Sequence, residues 1–184
     1  MQIIEKMEGS ILWVKNPSSE LGFNKDAFKH PHHQIRRAAY VELGYRKEAF
    51  EDDDWGIRLE AYRVLGFTKE ALEDDKEDIR LEAYRRLGFI EKAFMDSQYL
   101  IRLEAYRTLG FTKEALKDDD ERIRMQAYRV LGFTKEALED HDWEIRRAAY
   151  RILGYTKEAL KDYHQEIRNE AELVLTNKEK LCKL

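Results

Sequence analysis

The chain has 184 residues, of which 43% are hydrophobic and 38% are charged, and its formal net charge is -4. This length suffices for one domain with a continuous core, and the regular recurrence of apolar residues excludes a disordered chain. The negative net charge gives no indication that the whole molecule binds nucleic acid. The single cysteine, Cys182, excludes an internal disulfide, and no stretch is apolar enough for a signal peptide or a membrane span. We therefore expect a soluble, cytoplasmic monomer.

The first twenty residues are predicted to form an irregular N-terminal cap, which is a degenerate copy of the repeats that follow. In repeat register, Trp13 falls where later copies have isoleucine, and Pro17 falls where they have alanine. Ile3, Ile4 and Met7 have helical spacing, which favours a short capping helix. Terminal units of a solenoid must shield the open end of the core, so an atypical first unit is expected.

From residue 21 onward a Leu-Gly-aromatic signature recurs every 22 residues without insertion or deletion. Its seven copies begin at Leu21, Leu43, Leu65, Leu87, Leu109, Leu131 and Leu153. An unbroken period of this size indicates stacked units that bury their apolar faces on their neighbours. We predict an all-α fold: a right-handed α-solenoid of seven 22-residue repeats over residues 21–174. A polar C-terminal cap or tail would follow over residues 175–184.

Each repeat is predicted to pair one long helix with one short helix. Gly66 can adopt the left-handed conformation that ends a helix, and Thr68 can cap a short helix over residues 69–72 through its side-chain oxygen. The next long helix should run from about Glu77 to Leu87, with acidic residues at its start. This long helix takes half of the period, so the short element has only one or two turns and is either α-helical or 3₁₀.

A helical wheel places two arginines of the long helix on different sides. Arg80 falls in the inner arc with Ile79, Ala83, Tyr84 and Leu87. The inner arginine recurs in all seven repeats, and an aspartate stands six residues before it in six of them. An arginine that leans into a core needs carboxylates or carbonyls for its donors, so we predict a ladder of Asp–Arg contacts that sets the stacking register.

The pattern Asp-(five residues)-Arg followed by Ala-(three residues)-Leu-Gly resembles HEAT-like repeats. The short period, with Thr-Lys-Glu-Ala-Leu after the helix, is still more similar to the leucine-rich repeat variant. In that family each unit pairs an α-helix with a 3₁₀ helix. The resemblance covers about residues 21–174 and implies an α-solenoid, whereas it bears on function only by analogy.

The outward side of the long helices carries an apolar row flanked by a row of arginines. In HEAT-like solenoids the corresponding helices line the concave surface, and protein interfaces favour arginine and large apolar anchors. We therefore predict a non-enzymatic scaffold that binds another protein through this face, centred on residues 59–129. The candidate partner-binding residues are Leu59, Arg63, Leu81, Arg85, Leu103, Arg107, Met125, Arg129 and Arg151.

A structural interpretation of these two rows remains open. A glutamate stands three residues before several of the arginines and can pair with it on the helix surface. The leucines can equally fill the seams between adjacent helices, and a charged row is often no more than a solvated face.

Other chemistry has little support in the sequence. His30, His32 and His33 form a histidine cluster, but no cysteine or fixed carboxylate pattern accompanies it, so we expect no metal site. We expect no catalytic residues and no cofactor either. The main alternative function is binding to a nucleic-acid backbone along the arginine rows, as some HEAT-like proteins do. Glutamates among those arginines count against it, because phosphate binding needs net positive potential.

Overall fold

The computed structural model describes residues 13–15 and 21–181, and the side chains of residues 23–178. Contacts divide the chain into two compact units, residues 1–88 and residues 89–184, which we call the N-terminal unit and the C-terminal unit. The predicted capping helix around Ile3, Ile4 and Met7 lies outside the described residues.

The N-terminal unit begins with a short antiparallel pair of strands. Strand β1 (Trp13–Lys15) pairs with strand β2 (Leu21–Phe23), with Trp13 opposite Phe23. The first Leu-Gly-aromatic copy is therefore extended, and the expectation that this signature marks a helix end is wrong at this position. In the sequence before Leu21, Pro17 stands where the later copies have alanine, so the helical pattern of the repeats is interrupted there.

Seven α-helices alternate with seven 3₁₀ helices over the described residues 25–181, which confirms the prediction of a tandem helical repeat. The α-helices are α1 (His33–Leu43), α2 (Trp55–Leu65), α3 (Glu77–Leu87), α4 (Tyr99–Leu109), α5 (Glu121–Leu131), α6 (Trp143–Leu153) and α7 (Gln165–Leu181). The 3₁₀ helices are Lys25–Lys29, Lys47–Glu51, Lys69–Glu73, Glu91–Met95, Lys113–Lys117, Lys135–Glu139 and Lys157–Lys161. The short element is thus a 3₁₀ helix in every repeat.

Helices α1 to α6 each end at a glycine with positive φ. These glycines have φ between 90° and 104° and ψ between 141° and 145°. The conformation therefore differs from the left-handed helical one that we predicted, because the positive φ is combined with an extended ψ. Only glycine adopts this region readily. In the last repeat Thr176 stands in the glycine position, and α7 continues through the predicted tail to Leu181.

The prediction that threonine side chains cap the short helices is wrong. Thr68 is the residue before its 3₁₀ helix, but its side chain accepts no hydrogen bond from the backbone there. Its hydroxyl instead hydrogen-bonds the carboxylate of Glu70 and lowers the pKa of that group. The long helices have true side-chain caps at several positions: Asp142, for example, accepts from the N–H groups of Glu144 and Ile145, both at 3.0 Å.

The core of each unit is built between successive repeats. In one cluster of the C-terminal unit, Tyr128 of α5 packs with Ala137 of the following 3₁₀ helix and with Ile145 and Ala149 of α6. The cluster around Tyr40 in the N-terminal unit has the same composition, with Ala49, Ile57 and Ala61. Within each unit, a repeat therefore buries its apolar face on its neighbour, which is the packing of a solenoid.

The wheel assignment is correct for most inner positions and wrong for one. Ile79, Ala83 and Tyr84 are buried, whereas Leu87 is 44% exposed. A wheel records angle but not position along the axis, and Leu87 is the last residue of its helix, where the chain turns away. The same end position is 43–47% exposed in its equivalents Leu65, Leu109, Leu131 and Leu153.

The predicted Asp–Arg ladder is confirmed, and it links successive repeats. In the C-terminal unit, Nε and a terminal nitrogen of Arg102 donate to the two carboxylate oxygens of Asp118 at 2.9 and 2.8 Å. The other terminal nitrogen donates to the backbone carbonyl of Asp96, which stands six residues before the arginine, at 2.8 Å. The arginine therefore contacts the aspartates of two repeats, one through backbone and one through side chain. Equivalent bidentate pairs are Arg36–Asp52, Arg58–Asp74, Arg124–Asp140 and Arg146–Asp162.

The ladder aspartates are held in the ionised form. Burial would raise the pKa of Asp118, but the hydrogen bonds from Arg102 and from the backbone N–H of Asp120 outweigh it and hold the pKa below its ordinary value. The aspartate is thus satisfied by an arginine of the preceding repeat and by its own turn. This double use explains why an aspartate recurs shortly before six of the seven long helices.

Candidate protein-interaction face

The apolar row that we predicted as a docking surface is largely covered. Leu59 and Leu103 are only 9% and 8% exposed, and Leu81 and Met125 are half-buried. Leu103 belongs to a core cluster with Tyr106. Two of these four side chains therefore fill seams between helices, and they cannot anchor a partner while the repeats are packed.

The arginine row is exposed in both units, but its members differ in their partners. In the N-terminal unit, Arg63 of α2 donates to the carboxylate of Glu82 on α3, with the shortest distance 2.8 Å, and lies 3.6 Å from Glu60. Arg85 is exposed as well. In the C-terminal unit, Arg107 of α4 and Arg129 of α5 are exposed, and neither forms an ion pair with any residue in the described part of the chain.

Arg151 belongs to a cluster around Glu170 that joins α6 to α7. Nε of Arg147 donates to Glu170 Oε1 at 2.7 Å, Nε of Arg151 donates to Oε2 at 3.0 Å, and the hydroxyl of Tyr155 donates to Oε2 as well. The pKa of Glu170 is lowered to about 2, chiefly by the hydrogen bond from Arg151, whereas burial acts in the opposite direction. Burial and the bond to Glu170 raise the pKa of Tyr155 to about 12. Arg147 and Arg151 are thus already paired with a carboxylate of the same chain.

The face also carries exposed apolar side chains that the sequence analysis missed. Val64 and Val130 are each 61% exposed, and Ile152 is 63% exposed, all at the position directly after the outer arginine. Leu100, at the start of α4, is 52% exposed. The signal was present in the sequence as a valine or isoleucine before the Leu-Gly pair, but this position belongs to neither of the two rows predicted as the binding face.

The histidine cluster has a local structural use. Nδ1 of His30 accepts from the backbone N–H of His32 at 3.0 Å, and Nδ1 of His32 accepts from the N–H of Gln34 at 3.3 Å, at the start of α1. Within the described residues there is no group of three or more side chains that could hold a metal ion. No helix in that part of the chain combines the length and apolarity needed to cross a membrane.

Within each unit, the outer surface of the long helices is therefore a mixed one. In the C-terminal unit it combines the unpaired Arg107 and Arg129 with exposed apolar side chains on α4, α5 and α6. We call the face formed by Leu100, Arg107, Arg129, Val130 and Ile152 the α4–α6 face. Comparisons of the chain with known protein families, with curated proteins and with solved structures gave no match.

Proposed function

We propose that the protein is a non-enzymatic repeat scaffold that binds another protein through the exposed face of its long helices. The observation that supports this proposal is the repetition of exposed apolar side chains beside arginines at one register, which is strongest on the α4–α6 face. Isolated exposed apolar residues are ordinary, whereas exposed apolar residues that recur beside arginines on adjacent helices are typical of interaction surfaces. Of the predicted binding residues, the exposed arginines fit this role better than the covered leucines.

We also propose a relationship to the leucine-rich repeat variant within the broader class of HEAT-like repeats. The alternation of one α-helix with one 3₁₀ helix in each repeat supports it, since that family pairs the same two elements. The relationship concerns the fold and carries no function with it.

Site-specific photo-crosslinking in the native host tests the proposed binding face. A photoreactive amino acid at Thr108, which is exposed beside Arg107, should give adducts that concentrate on one protein. The matched control is the same amino acid at Glu136, which is exposed on a 3₁₀ helix. Binding of the purified adduct partner, measured by calorimetry, should weaken in a variant with Val130→Glu and Ile152→Glu. The proposal fails if Thr108 and Glu136 give the same adducts, or if the double variant binds the partner unchanged.

Binding to a nucleic-acid backbone is the alternative, and the free Arg107 and Arg129 are the observation in its favour. Against it, Arg63 and Arg151 of the same row are already paired with carboxylates, so few cations are available to phosphates. A titration of duplex DNA at about 50 mM salt decides the matter, because backbone binding is strongest at low salt. Binding that weakens as salt rises and is lost with Arg107→Gln and Arg129→Gln would favour nucleic acid over a protein partner.

A further inference from the structure

The outer arginines follow a pairing rule that is interrupted at two successive repeats. Arg63 pairs with Glu82 and Arg151 pairs with Glu170, and in both cases the glutamate lies 19 residues later, on the next helix. The residue 19 positions after Arg107 is Gln126, and the one after Arg129 is Ala148. Among the described residues the two arginines have no carboxylate partner, because the chain places a neutral residue where its other repeats place an acid.

These two cations lie on adjacent helices that pack directly against each other. Arg107 and Arg129 occupy the same register on α4 and α5, and α5 also packs against α6. Axes of packed helices are about 8–10 Å apart, so the two arginines extend from neighbouring helices with roughly that separation. Neither donates a hydrogen bond to a residue in the described part of the chain.

Exposed apolar side chains stand on both sides of the two cations. Leu100 lies two helical turns before Arg107 on the same side of α4. Val130 directly follows Arg129, and Ile152 has the register of Val130 on α6. The face therefore combines two unneutralised positive charges with three side chains that are 52–63% exposed. A partner that matches it must supply both carboxylates and apolar groups.

We infer that the α4–α6 face binds an acidic, partly apolar peptide segment of another protein. This inference rests on the proposed function and specifies the chemistry of the partner. Two carboxylates of the segment bind Arg107 and Arg129, and apolar side chains between or beside them cover Val130 and Ile152. An extended segment with a rise of about 3.1 Å per residue places carboxylates three residues apart at a distance of about 9 Å, which fits the spacing of the two helices.

A peptide accounts for this surface better than a nucleic acid does. Backbone binding draws affinity from many phosphate contacts, whereas the neighbouring Arg147 and Arg151 are committed to Glu170. The turns before the long helices carry acidic residues such as Asp119 and Asp120, which would repel a polyanion that extended beyond the face. A short segment with two carboxylates needs only the two free cations.

A phage-displayed library of random peptides, panned on the full chain, tests the inference. Enriched peptides should contain two acidic residues about three positions apart together with leucine, isoleucine or an aromatic residue. Binding of a synthetic enriched peptide, followed by fluorescence anisotropy, should weaken about tenfold or more with Arg107→Gln plus Arg129→Gln, because each lost pair leaves a carboxylate unmatched. The matched control is Arg86→Gln, which removes an exposed arginine of α3 outside the α4–α6 face and should leave affinity unchanged.

The outcomes separate this inference from the proposed function. Enriched peptides that lack acidic residues but lose binding with Val130→Glu would overturn the inference and leave the proposed face intact. Peptides whose affinity is the same in wild type and in the double arginine variant overturn the inference as well, and so does a panning that enriches no peptide dependent on the two arginines. Duplex DNA that binds in low salt and is released by the same variant would assign the two cations to nucleic acid and overturn the peptide assignment.

Discussion

Replacement of Arg124 by methionine removes one step of the Asp–Arg ladder while keeping most of the side-chain volume. Arg124 donates to both carboxylate oxygens of Asp140, at 2.9 and 2.8 Å, and to the carbonyls of Asp118 and Asp119 at 2.8 and 3.0 Å. The side chains of Arg124 and Asp140 are 13% and 5% exposed. The variant therefore leaves an ionised, nearly buried carboxylate without its counter-charge.

The expected loss of stability is about 3 kcal/mol. Breaking a buried ion pair by removing one partner costs about 3–5 kcal/mol. The lower end applies because Asp140 keeps the hydrogen bond from the backbone N–H of Asp142 at 2.8 Å, and because water reaches the edge of the pair once Arg124 is gone. Replacing Asp140 by asparagine as well removes the stranded charge, so the double variant should lose about 1–2 kcal/mol less than the sum of the single losses.

Urea unfolding followed by circular dichroism measures these differences. The matched control is Arg129→Met, which removes an arginine from the same helix at an exposed and unpaired position and should cost less than about 0.5 kcal/mol. The reasoning is refuted if Arg124→Met costs no more than Arg129→Met. It is also refuted if the losses from Arg124→Met and Asp140→Asn simply add.

Three further predictions concern the ends of the helices and the effect of pH. Gly132→Ala should destabilise the protein by about 1–3 kcal/mol in urea unfolding, because φ is 97° there. Apart from the two adjacent residues, nothing lies within 4 Å of the added methyl group, so a neutral result would show that the backbone strain is absent. Asp142→Ala should lower the free energy of unfolding by about 1 kcal/mol, because a helix cap is lost. Thr134→Ala should lower it by less than about 0.5 kcal/mol, because that side chain makes no cap hydrogen bond. Equal losses would contradict the difference in capping. Ladder aspartates such as Asp118 have lowered folded-state pKa values, so their contribution is complete above the ordinary pKa and is lost as pH falls below about 4. The urea midpoint should therefore drop steeply below that pH, and a midpoint that stays level down to about pH 2 would refute the linkage.

Much of the fold is readable from the sequence because it depends on contacts that recur with the repeat. The period predicts the alternation of elements. The recurrence of an aspartate before six of the seven inner arginines predicts the ladder, since a buried guanidinium must find acceptors nearby. The choice between an α-helical and a 3₁₀ stub was open, because five residues satisfy either pattern. For the glycines that end the helices, the positive φ was predicted correctly, whereas the extended ψ was not.

The candidate site was less predictable because exposure depends on the neighbouring helix. The row of Leu59 and Leu103 has the composition of a docking surface, yet the adjacent repeat covers both residues. Val130 belongs to neither of the two predicted rows, yet it is exposed and directly follows Arg129. The replacement of glutamate by Gln126 and Ala148 was visible in the sequence, but its meaning depends on a contact 19 residues away that no local pattern reveals.

The sequence by itself determined the repeat length, the order of helix and turn, and the residues that carry the ladder, because each follows from local periodicity and from the need to satisfy buried charge. Only the tertiary structure decided which outer residues are free, because packing between successive helices buries Leu103, pairs Arg63 with Glu82 and leaves Arg107 and Arg129 open to solvent.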